Sequence, residues 1–368
     1  SSLFNSSYYD DSDNSFVIAS NNINQDFNGG WNLIGTPVVL DSSINMQSYI
    51  NNGIDFDYGD VWWQIIDEDE NIIDPVAPSE SIFESGKGYY LNLFSQSANE
   101  DFSKTLSLSG NVVSDYTIDG LHIGWNLISN PLVISMNINN INIIDNNGSI
   151  MNWEEANANG LIAPYLLEFN PENNTLIPSY EISPYKGYWV YLYDEIDINF
   201  ESKVQNEENL DADISSTDFI INLSCNAFGQ NSSIFGDLIQ LGYGLNASND
   251  FIEGVDIPHL DYQYFSQYTS MHIQHSEDDW NSEYNELSRD IREHYQPNYI
   301  WNIVGVSQAI ADSETNPDSE IELFWDISEI DTTSTFSKIK IELSNNIRIN
   351  DINKGYFSIY GKPEIKRR

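Results

Sequence analysis

GWNLIGTP at residues 30–37 is matched further along the chain by GWNLISNP at residues 124–131. Each copy is followed by a second shared phrase, which reads GKGYYLNL at residues 86–93 and YKGYWVYL at residues 185–192. The two phrases come in the same order and at nearly the same separation. This pattern predicts a tandem repeat, and a repeat sets the architecture before any other signal. Tandem β-modules in an acidic chain are typical of display or binding proteins.

The lysines follow the same repeat. Residues 1–200 contain three lysines and no arginine, and two of the lysines, Lys87 and Lys186, occupy the same position of the second phrase. In one interpretation each ammonium group binds nearby carbonyls or carboxylates inside a turn and is a structural element of the repeat. In the other, the two lysines contact a ligand.

Composition limits the class of protein. With 368 residues, a prior of about 150 residues per domain predicts two or three domains. The formal net charge is −43 and the pI is about 4.1, so the surface repels phosphate backbones and anionic lipids. We therefore expect no nucleic-acid partner and no membrane insertion. An aromatic content of 13%, with nine tryptophans, favours a packed core over disorder.

The pattern of apolar residues predicts an all-β protein. Short apolar runs alternate with clusters of Asn, Gly and Asp, as expected for strands joined by turns. We predict two tandem repeated β-modules followed by a β-sandwich domain of the Ig or jelly-roll kind. Only residues 281–293 have the pattern of a short helix. The predicted division is an N-terminal arm at 1–14, β-module repeat 1 at 15–103, β-module repeat 2 at 104–203, a linker at 204–213 and the β-sandwich domain at 214–368.

Each predicted module begins with its tryptophan strand and ends with its glycine-tyrosine strand, and we expect these two strands to pair or pack together. Trp31 and Trp125 are expected to be largely buried. Gly88 and Gly187, which precede the tyrosines, permit a tight turn. The alternation in WVYLY at residues 189–193 predicts a half-buried strand.

The sequence contains one cysteine, Cys225, which excludes an intramolecular disulfide framework. Its neighbours at strand spacing, Ile221 and Leu223, are apolar, and they predict that Cys225 is a small buried hydrophobe.

The two phrases resemble a module of secreted bacterial surface proteins, in which G-W-N-L-I is followed by G-(K/Q)-G-(Y/F)-(W/F)-V. The last part of the chain looks like a β-domain found in the same setting, often in Bacteroidetes-like proteins exported by the type IX system. Its matching segments are residues 241–255, 288–292 and 323–326. The resemblance implies an extracellular or cell-surface location, often beside proteases or carbohydrate-active domains. The first residue is Ser1 rather than methionine, which favours a processed product or an excised fragment.

The motifs of common enzymes are absent from the sequence. It contains no Gly-x-Ser-x-Gly elbow, P-loop or His-Glu-x-x-His. His272 and His275 have a possible metal-ligand spacing, but in a strand this spacing places the two imidazoles on opposite faces. The acidic pairs at 154–155 and 278–279 could serve a glycosidase, which needs two carboxylates across a sugar cleft. With 57 acidic residues in the chain, such pairs are expected by chance, and we predict no enzyme activity.

Calcium is the metal that the acidic loops favour. Hard cations prefer alternating oxygen ligands, and two loops supply them. The candidate ligands are Asp55, Asp57 and Asp60 in the first loop and Asp67 and Asp69 in the second. A third group is formed by Asn249, Asp250 and Asp256. The alternative is that these are solvated acidic loops with no bound ion.

Two of the few arginines lie close together, at Arg289 and Arg292. Asp290 lies between them in sequence, and we expect the arginines to form ion pairs that stabilise the third unit internally.

Taken together, these features predict a non-catalytic secreted or cell-surface protein that serves adhesion, structure or an extracellular assembly. Its expected partners are other surface proteins, glycans or further copies of itself. Exposed aromatic side chains such as Trp62, Trp63, Tyr262 and Tyr264 could stack on sugar rings, although a core position is the alternative for each. The alternative function is an accessory C-terminal region of a secreted hydrolase, either a protease or a carbohydrate-active enzyme.

Overall fold

In the computed structural model most of the described residues lie in β-strands, and the predicted all-β class is confirmed. The five aspartates of the two calcium loops, Tyr262, Tyr264, Asp278 and Asp279 lie outside the described residues. The described residues are 22–39, 61–66, 72–73, 84–95, 103–171, 174–202, 217–228, 236–244, 246–261, 268–276, 280, 283–293, 300–307, 320–326, 341–344 and 358–361.

The first part of the chain forms a four-stranded antiparallel sheet and a separate strand pair. The strands are β1 (Asn22–Asn28), β2 (Gly30–Ile34), β3 (Val61–Ile66), β4 (Ile72–Ile73), β5 (Tyr89–Ser95) and β6 (Ser103–Ser109). The sheet has the order β2-β5-β3-β4. Strand β6, which crosses the predicted boundary at 103/104, pairs along its whole length with β1.

The second part contains two four-stranded sheets, β8-β15-β12-β13 and β11-β10-β16-β7, and the short pair β9-β14. Its elements are β7 (Asp115–Ile118), β8 (Gly124–Ser129), β9 (Met136–Asn137), β10 (Asn142–Asp145), β11 (Ile150–Asn152), helix α1 (Trp153–Ala158), β12 (Leu166–Asn170), β13 (Thr175–Ser179), β14 (Glu181–Ile182), β15 (Gly187–Leu192) and β16 (Ile196–Glu201). A 3-10 turn at Ile138–Asn140 follows β9.

The third part is built on a seven-stranded sheet. Its path is β22-β20-β21-β18-β17-β23, with β19 paired to β21, and β18 and β21 run parallel. The strands are β17 (Thr217–Phe228), β18 (Asp237–Gly244), β19 (Ile257–Pro258), β20 (Thr269–Gln274), β21 (Glu286–Glu293), β22 (Ile303–Ser307), β23 (Glu320–Asp326) and the hairpin β24 (Ile341–Ser344) and β25 (Ser358–Gly361). Cys225 is fully buried in its core, as predicted, and burial raises the pKa of its thiol.

The tryptophan strand and the glycine-tyrosine strand pair in both halves, as predicted. In the first sheet Trp31 lies opposite Asn92, and in the second Trp125 lies opposite Tyr191, so the two pairings have the same register relative to the two phrases. The two sheets also correspond strand for strand: β2-β5-β3-β4 in the first part matches β8-β15-β12-β13 in the second. That residues 15–103 and 104–203 superpose as copies of one module stays a prediction.

Strand β15 lies between two hydrophobic cores. Tyr188, Val190 and Leu192 belong to a core within the second part. Trp189 and Tyr191 face a different core. All six residues of β15 are buried, so the predicted half-buried strand is wrong because a core covers each face.

The helix predicted at 281–293 is wrong, since Glu286–Glu293 is strand β21. This strand pairs with β18 on one side and with β20 on the other, and the ladder bonds that it gains there outweigh its local helical pattern. Helix α1 is the element that the pattern missed. Its start was readable, because the Asn152 side chain and Glu155 form a capping box.

Candidate functional site

The two copies meet at a crossing, where the second phrase of each copy is hydrogen-bonded to the first phrase of the other. The amide of Gly35 donates to the carbonyl of Tyr185 at 3.0 Å, and the amide of Ser129 donates to the carbonyl of Gly86 at 2.7 Å. In the same reciprocal sense, Ile34 forms a bridge with Lys186, and Ile128 forms one with Lys87. Each phrase pair thus binds the other through backbone hydrogen bonds.

Gly88 and Gly187 allow this crossing by their lack of a side chain. A Cβ at Gly88 would lie 2.8 Å from the carbonyl oxygen of Ile128, and one at Gly187 would lie 2.9 Å from that of Ile34. Neither glycine has a positive φ. The tight turn of each copy lies two residues earlier, at Gly86 and Tyr185, which have positive φ. At Gly88 and Gly187 themselves, close backbone approach is what requires glycine.

The two lysines at the crossing contact carboxylates. Lys186 forms an ion pair with Glu168, and Lys87 forms one with Glu84 at 3.0 Å. Both lysine side chains are about half exposed, so each pair contributes little stability. The geometry matches the interpretation in which the lysine binds a nearby carboxylate beside a turn.

Trp31 and Trp125 are of intermediate burial, so they lie less deep than core residues but are not exposed. Both pack against the margin of the shared core. Trp31 meets the Tyr90 ring edge-on at 6.2 Å, and Trp125 meets the Trp189 ring edge-on at 6.4 Å. The deeply buried rings are those of the second phrase, Tyr90 and Trp189, because β5 and β15 are interior strands of their sheets and β2 and β8 are edges.

Of the predicted calcium residues, the structure describes only the third group. Asn249 and Asp250 are exposed, and Asp256 is buried. The Asp256 carboxylate accepts hydrogen bonds from the amides of Ile252 and Ile291, both within 2.9 Å. Asp256 thus bonds the loop before β19 to strand β21. Burial and then the charge of Asp290 raise its pKa, against which the two amides act.

The acidic pair at 154–155 lies at the exposed start of helix α1. Glu155 closes the capping box by accepting from the amide of Asn152 at 3.1 Å. Such a carboxylate stabilises a helix start.

The two arginines have different roles. Arg292 forms the expected ion pair, with its Nε 2.8 Å and 2.9 Å from the two oxygens of Asp290. Arg289 donates to the Val255 carbonyl and to the Gln240 side chain, and its guanidinium lies 5.6 Å from the ring centre of Tyr165 in the second part of the chain. Arg289 therefore also contacts a part of the chain outside the third unit.

A buried polar cluster lies where β18, β19 and β20 meet. His259 Nε2 lies 3.0 Å from Asp237 Oδ2 and 3.0 Å from Ser270 Oγ. Asp237 Oδ2 also accepts from the Met271 amide at 2.8 Å. A Ser–His–Asp relay needs the serine and the aspartate on different ring nitrogens, so this arrangement does not have the geometry of one.

Strand β20 adds His272 and Gln274 to the same face. His272 Nε2 lies 3.3 Å from Gln274 Oε1 and 3.7 Å from Glu286 Oε1. The rings of His259 and His272 lie 5.3 Å apart. Burial, and then the neighbouring His259, lower the pKa of His272, so its imidazole is neutral at neutral pH.

His275 has separate surroundings, as its spacing from His272 predicted. Its ring stacks on Trp280 at 3.6 Å, and its Nε2 lies 3.2 Å from Asp290 Oδ2. The sequence signal that could have found the polar cluster is the alternation in SMHIQ at residues 270–274. The two apolar residues of this segment, Met271 and Ile273, are fully buried in the core. The polar residues that alternate with them therefore lie on the other face of the strand.

The comparisons with known proteins add no family. A scan against protein-family models finds no match for this chain. A search of curated proteins finds no match either. Among the described residues, no helix is both long and apolar enough to cross a membrane.

Proposed function

We propose that this chain is a non-catalytic structural or adhesion part of a secreted or cell-surface bacterial protein. The observation that carries the proposal is a single hydrophobic core shared by all three parts of the chain. Leu33 comes from the first part, Leu127 and Trp189 from the second, and Leu260 and Tyr268 from the third. Tandem modules that act as independent binders need no such common core.

Polar bonds accompany the shared core. The amide group of Asn157 donates to the carbonyl of Gly254 at 2.8 Å, and the Tyr193 hydroxyl donates to the carbonyl of Asp256. The Trp189 indole donates to the Tyr90 hydroxyl at 2.7 Å. A chain coupled in this way behaves as one body, which suits a protein that transmits load or holds loops at fixed positions.

Charge supports an aqueous, extracellular role with neutral or basic partners. The net charge of −43 repels polyanions and keeps the protein soluble. Neutral glycans, or other proteins with basic patches, fit this surface. Calcium bound by the aspartates of residues 55–69 is part of the proposal, because divalent cations are attracted to such a surface.

Location and binding test the proposal separately. On intact cells of the source bacterium, a membrane-impermeant biotin reagent should label this protein, while a cytosolic marker stays unlabelled. Labelling only after lysis would contradict a surface or secreted location. A glycan array with the parent and with Trp62→Ala/Trp63→Ala should show binding that the variant loses, if those aromatics contact sugars.

The alternative function is an accessory region of a secreted hydrolase, and the sequence of the full gene distinguishes it from the proposed function. A catalytic domain encoded upstream of Ser1 would favour it. A panel of polysaccharides and peptides should show no turnover by this chain, and activity lost in Glu154→Ala/Glu155→Ala/Asp278→Ala/Asp279→Ala would replace the proposal with a glycosidase.

A further inference from the structure

We propose that His259, His272 and Glu286 form a binding site for a divalent transition-metal ion, and that Zn²⁺ suits these ligands best. The site is independent of the proposed adhesion function. It lies beside β20, at the start of β21 and just after β19, and its exposed member is Glu286.

The fold brings together three residues that are remote in sequence. His259 directly follows β19, and its backbone amide donates to the carbonyl of Glu286 at 2.9 Å. Glu286 is the first residue of β21 and lies opposite Gln274 in the ladder with β20. His272 lies two residues before Gln274 and therefore on the same face of β20. Strand pairing thus directs all three side chains to one place.

The distances suit a metal site that closes slightly on binding. One ligand atom from each residue can be chosen so that all three lie within 4.8 Å of one another. His272 Nε2 and Glu286 Oε1 are already 3.7 Å apart. Tetrahedral zinc, with bonds of about 2.0–2.2 Å, needs ligand atoms roughly 3.3 Å apart. The Glu286 side chain is 55% exposed, so it can rotate by the remaining distance without disturbing the core.

The supporting contacts are those that metal-binding histidines usually have. A carboxylate commonly bonds to such a histidine and fixes its ring. Asp237 does so for His259 through Nε2, so the ion would bind to the other ring nitrogen, Nδ1. The position of Asp237 is itself fixed by the Met271 amide at 2.8 Å and by the Ser270 hydroxyl at 3.3 Å. The side chains of His259 and Asp237 are 6% and 4% exposed, so the ring is held before any ion arrives.

A fourth ligand atom, an amide oxygen, already points to the site. The Gln274 amide nitrogen donates to the carbonyls of His275 and Asn285, each at 3.1 Å. This fixes the opposite end of the amide, so Oε1 points to His272 Nε2 at 3.3 Å. Gln274 or a water molecule can therefore complete the coordination, and the exposed Glu286 marks the entry from solvent.

The ligand types select the ion. Ca²⁺ prefers six to eight oxygen ligands, whereas two imidazoles and one carboxylate suit Zn²⁺ and its transition-metal neighbours. The competing possibility is a hydrogen-bonded cluster that binds no ion. Titration distinguishes the two, provided that the many acidic side chains of this chain are already occupied.

The test is a calorimetric titration of the chelator-treated full chain with Zn²⁺ in the presence of millimolar Ca²⁺. We expect one Zn²⁺ site, at least tenfold weaker in Glu286→Gln and lost in His272→Ala. Glu293→Gln, which changes an exposed glutamate of the same strand, and His122→Ala, which removes an exposed imidazole, should bind like the parent.

Two results would overturn the proposal. One is a parent chain that binds no Zn²⁺ once Ca²⁺ is present. The other is equal Zn²⁺ affinity in Glu286→Gln and Glu293→Gln. Because Glu286 is exposed, its variant keeps the fold, and the comparison decides the question even if His272→Ala fails to fold.

Discussion

The first and second copies of the GWNLI phrase make the same local bonds while their surroundings differ. In both copies the phrase asparagine donates from its side chain to the carbonyl of the glycine two residues before it, at 3.1 Å from Asn32 and at 3.0 Å from Asn126. In both, the tyrosine that follows the Lys-Gly pair of the second phrase accepts, through its hydroxyl, from an amide five residues earlier. Tyr89 accepts at 3.0 Å and Tyr188 at 2.8 Å.

The copies differ where they meet each other. Gly35 and Ser129 occupy the same position of the phrase, and a Cβ at Gly35 would lie only 2.0 Å from the Cβ of Ser129. Two equal side chains cannot share this place, so one copy has a side chain and the other has none. The difference teaches that backbone bonds define the repeat, whereas contact between the copies dictates where their residues must differ.

The largest effect is expected from Trp189, whose ring is more deeply buried than that of Trp125. Trp189→Ala should cost about 3–5 kcal/mol of unfolding free energy, because it empties a buried site. Trp125→Ala should cost clearly less, since its ring is only partly buried. Urea unfolding of both variants measures this, and an equal or larger loss at Trp125 would contradict the ranking.

The contact between Gly35 and Ser129 predicts the next largest effect. Gly35→Ser should destabilise the protein by about 3 kcal/mol, because the added side chain has no space. Ser129→Gly should cost less than about 1 kcal/mol, mainly from added backbone freedom.

The double variant Gly35→Ser/Ser129→Gly exchanges the two residues and provides the control. It should recover most of the stability that Gly35→Ser loses, since one side chain again occupies the shared place. Additive losses in the double variant, measured by the same urea midpoints, would show that the two positions do not compete for space.

A smaller effect is expected from a buried hydrogen bond that joins the rings of the two second phrases. Tyr90→Phe removes the acceptor of the Trp189 indole, which donates to it at 2.7 Å. An unpaired buried donor costs about 2 kcal/mol. Tyr89→Phe is the matched control, because its hydroxyl serves a partly buried amide. If both variants lose the same unfolding free energy, the bond between the copies contributes no more to stability than the bond of Tyr89.

The sequence predicted what depends on local pattern. The pairing of β2 with β5 and of β8 with β15 followed from the phrases, and the burial of Cys225 followed from its apolar neighbours. The burial of β15 on both faces could not be predicted, because alternation in WVYLY is also the pattern of a strand with one wet face.

The candidate site was less predictable than the fold. Its ligands His259, His272 and Glu286 come from three elements, and only the pairing of β19 and β20 with β21 brings them together. The sequence offered His272 with His275 instead, whose side chains have different partners. The helix predicted at 281–293 also hid Glu286, because a helix places it on no shared face with His272.

The smallest expected effect concerns a difference in sequence between the two copies. The first copy has the aspartates of residues 55–69 between its two phrases, and the second has helix α1 there. If calcium binds to those aspartates, millimolar Ca²⁺ at ten times the dissociation constant stabilises the protein by roughly 1.4 kcal/mol, because only the folded chain binds it. Thermal melting in EDTA and in Ca²⁺ measures this. The Ca²⁺-dependent shift should disappear in Asp55→Asn/Asp57→Asn and persist in Glu154→Gln/Glu155→Gln, which removes the same two negative charges from the second copy. An equal shift in both variants would assign the effect to general charge screening and leave the first copy without a calcium site.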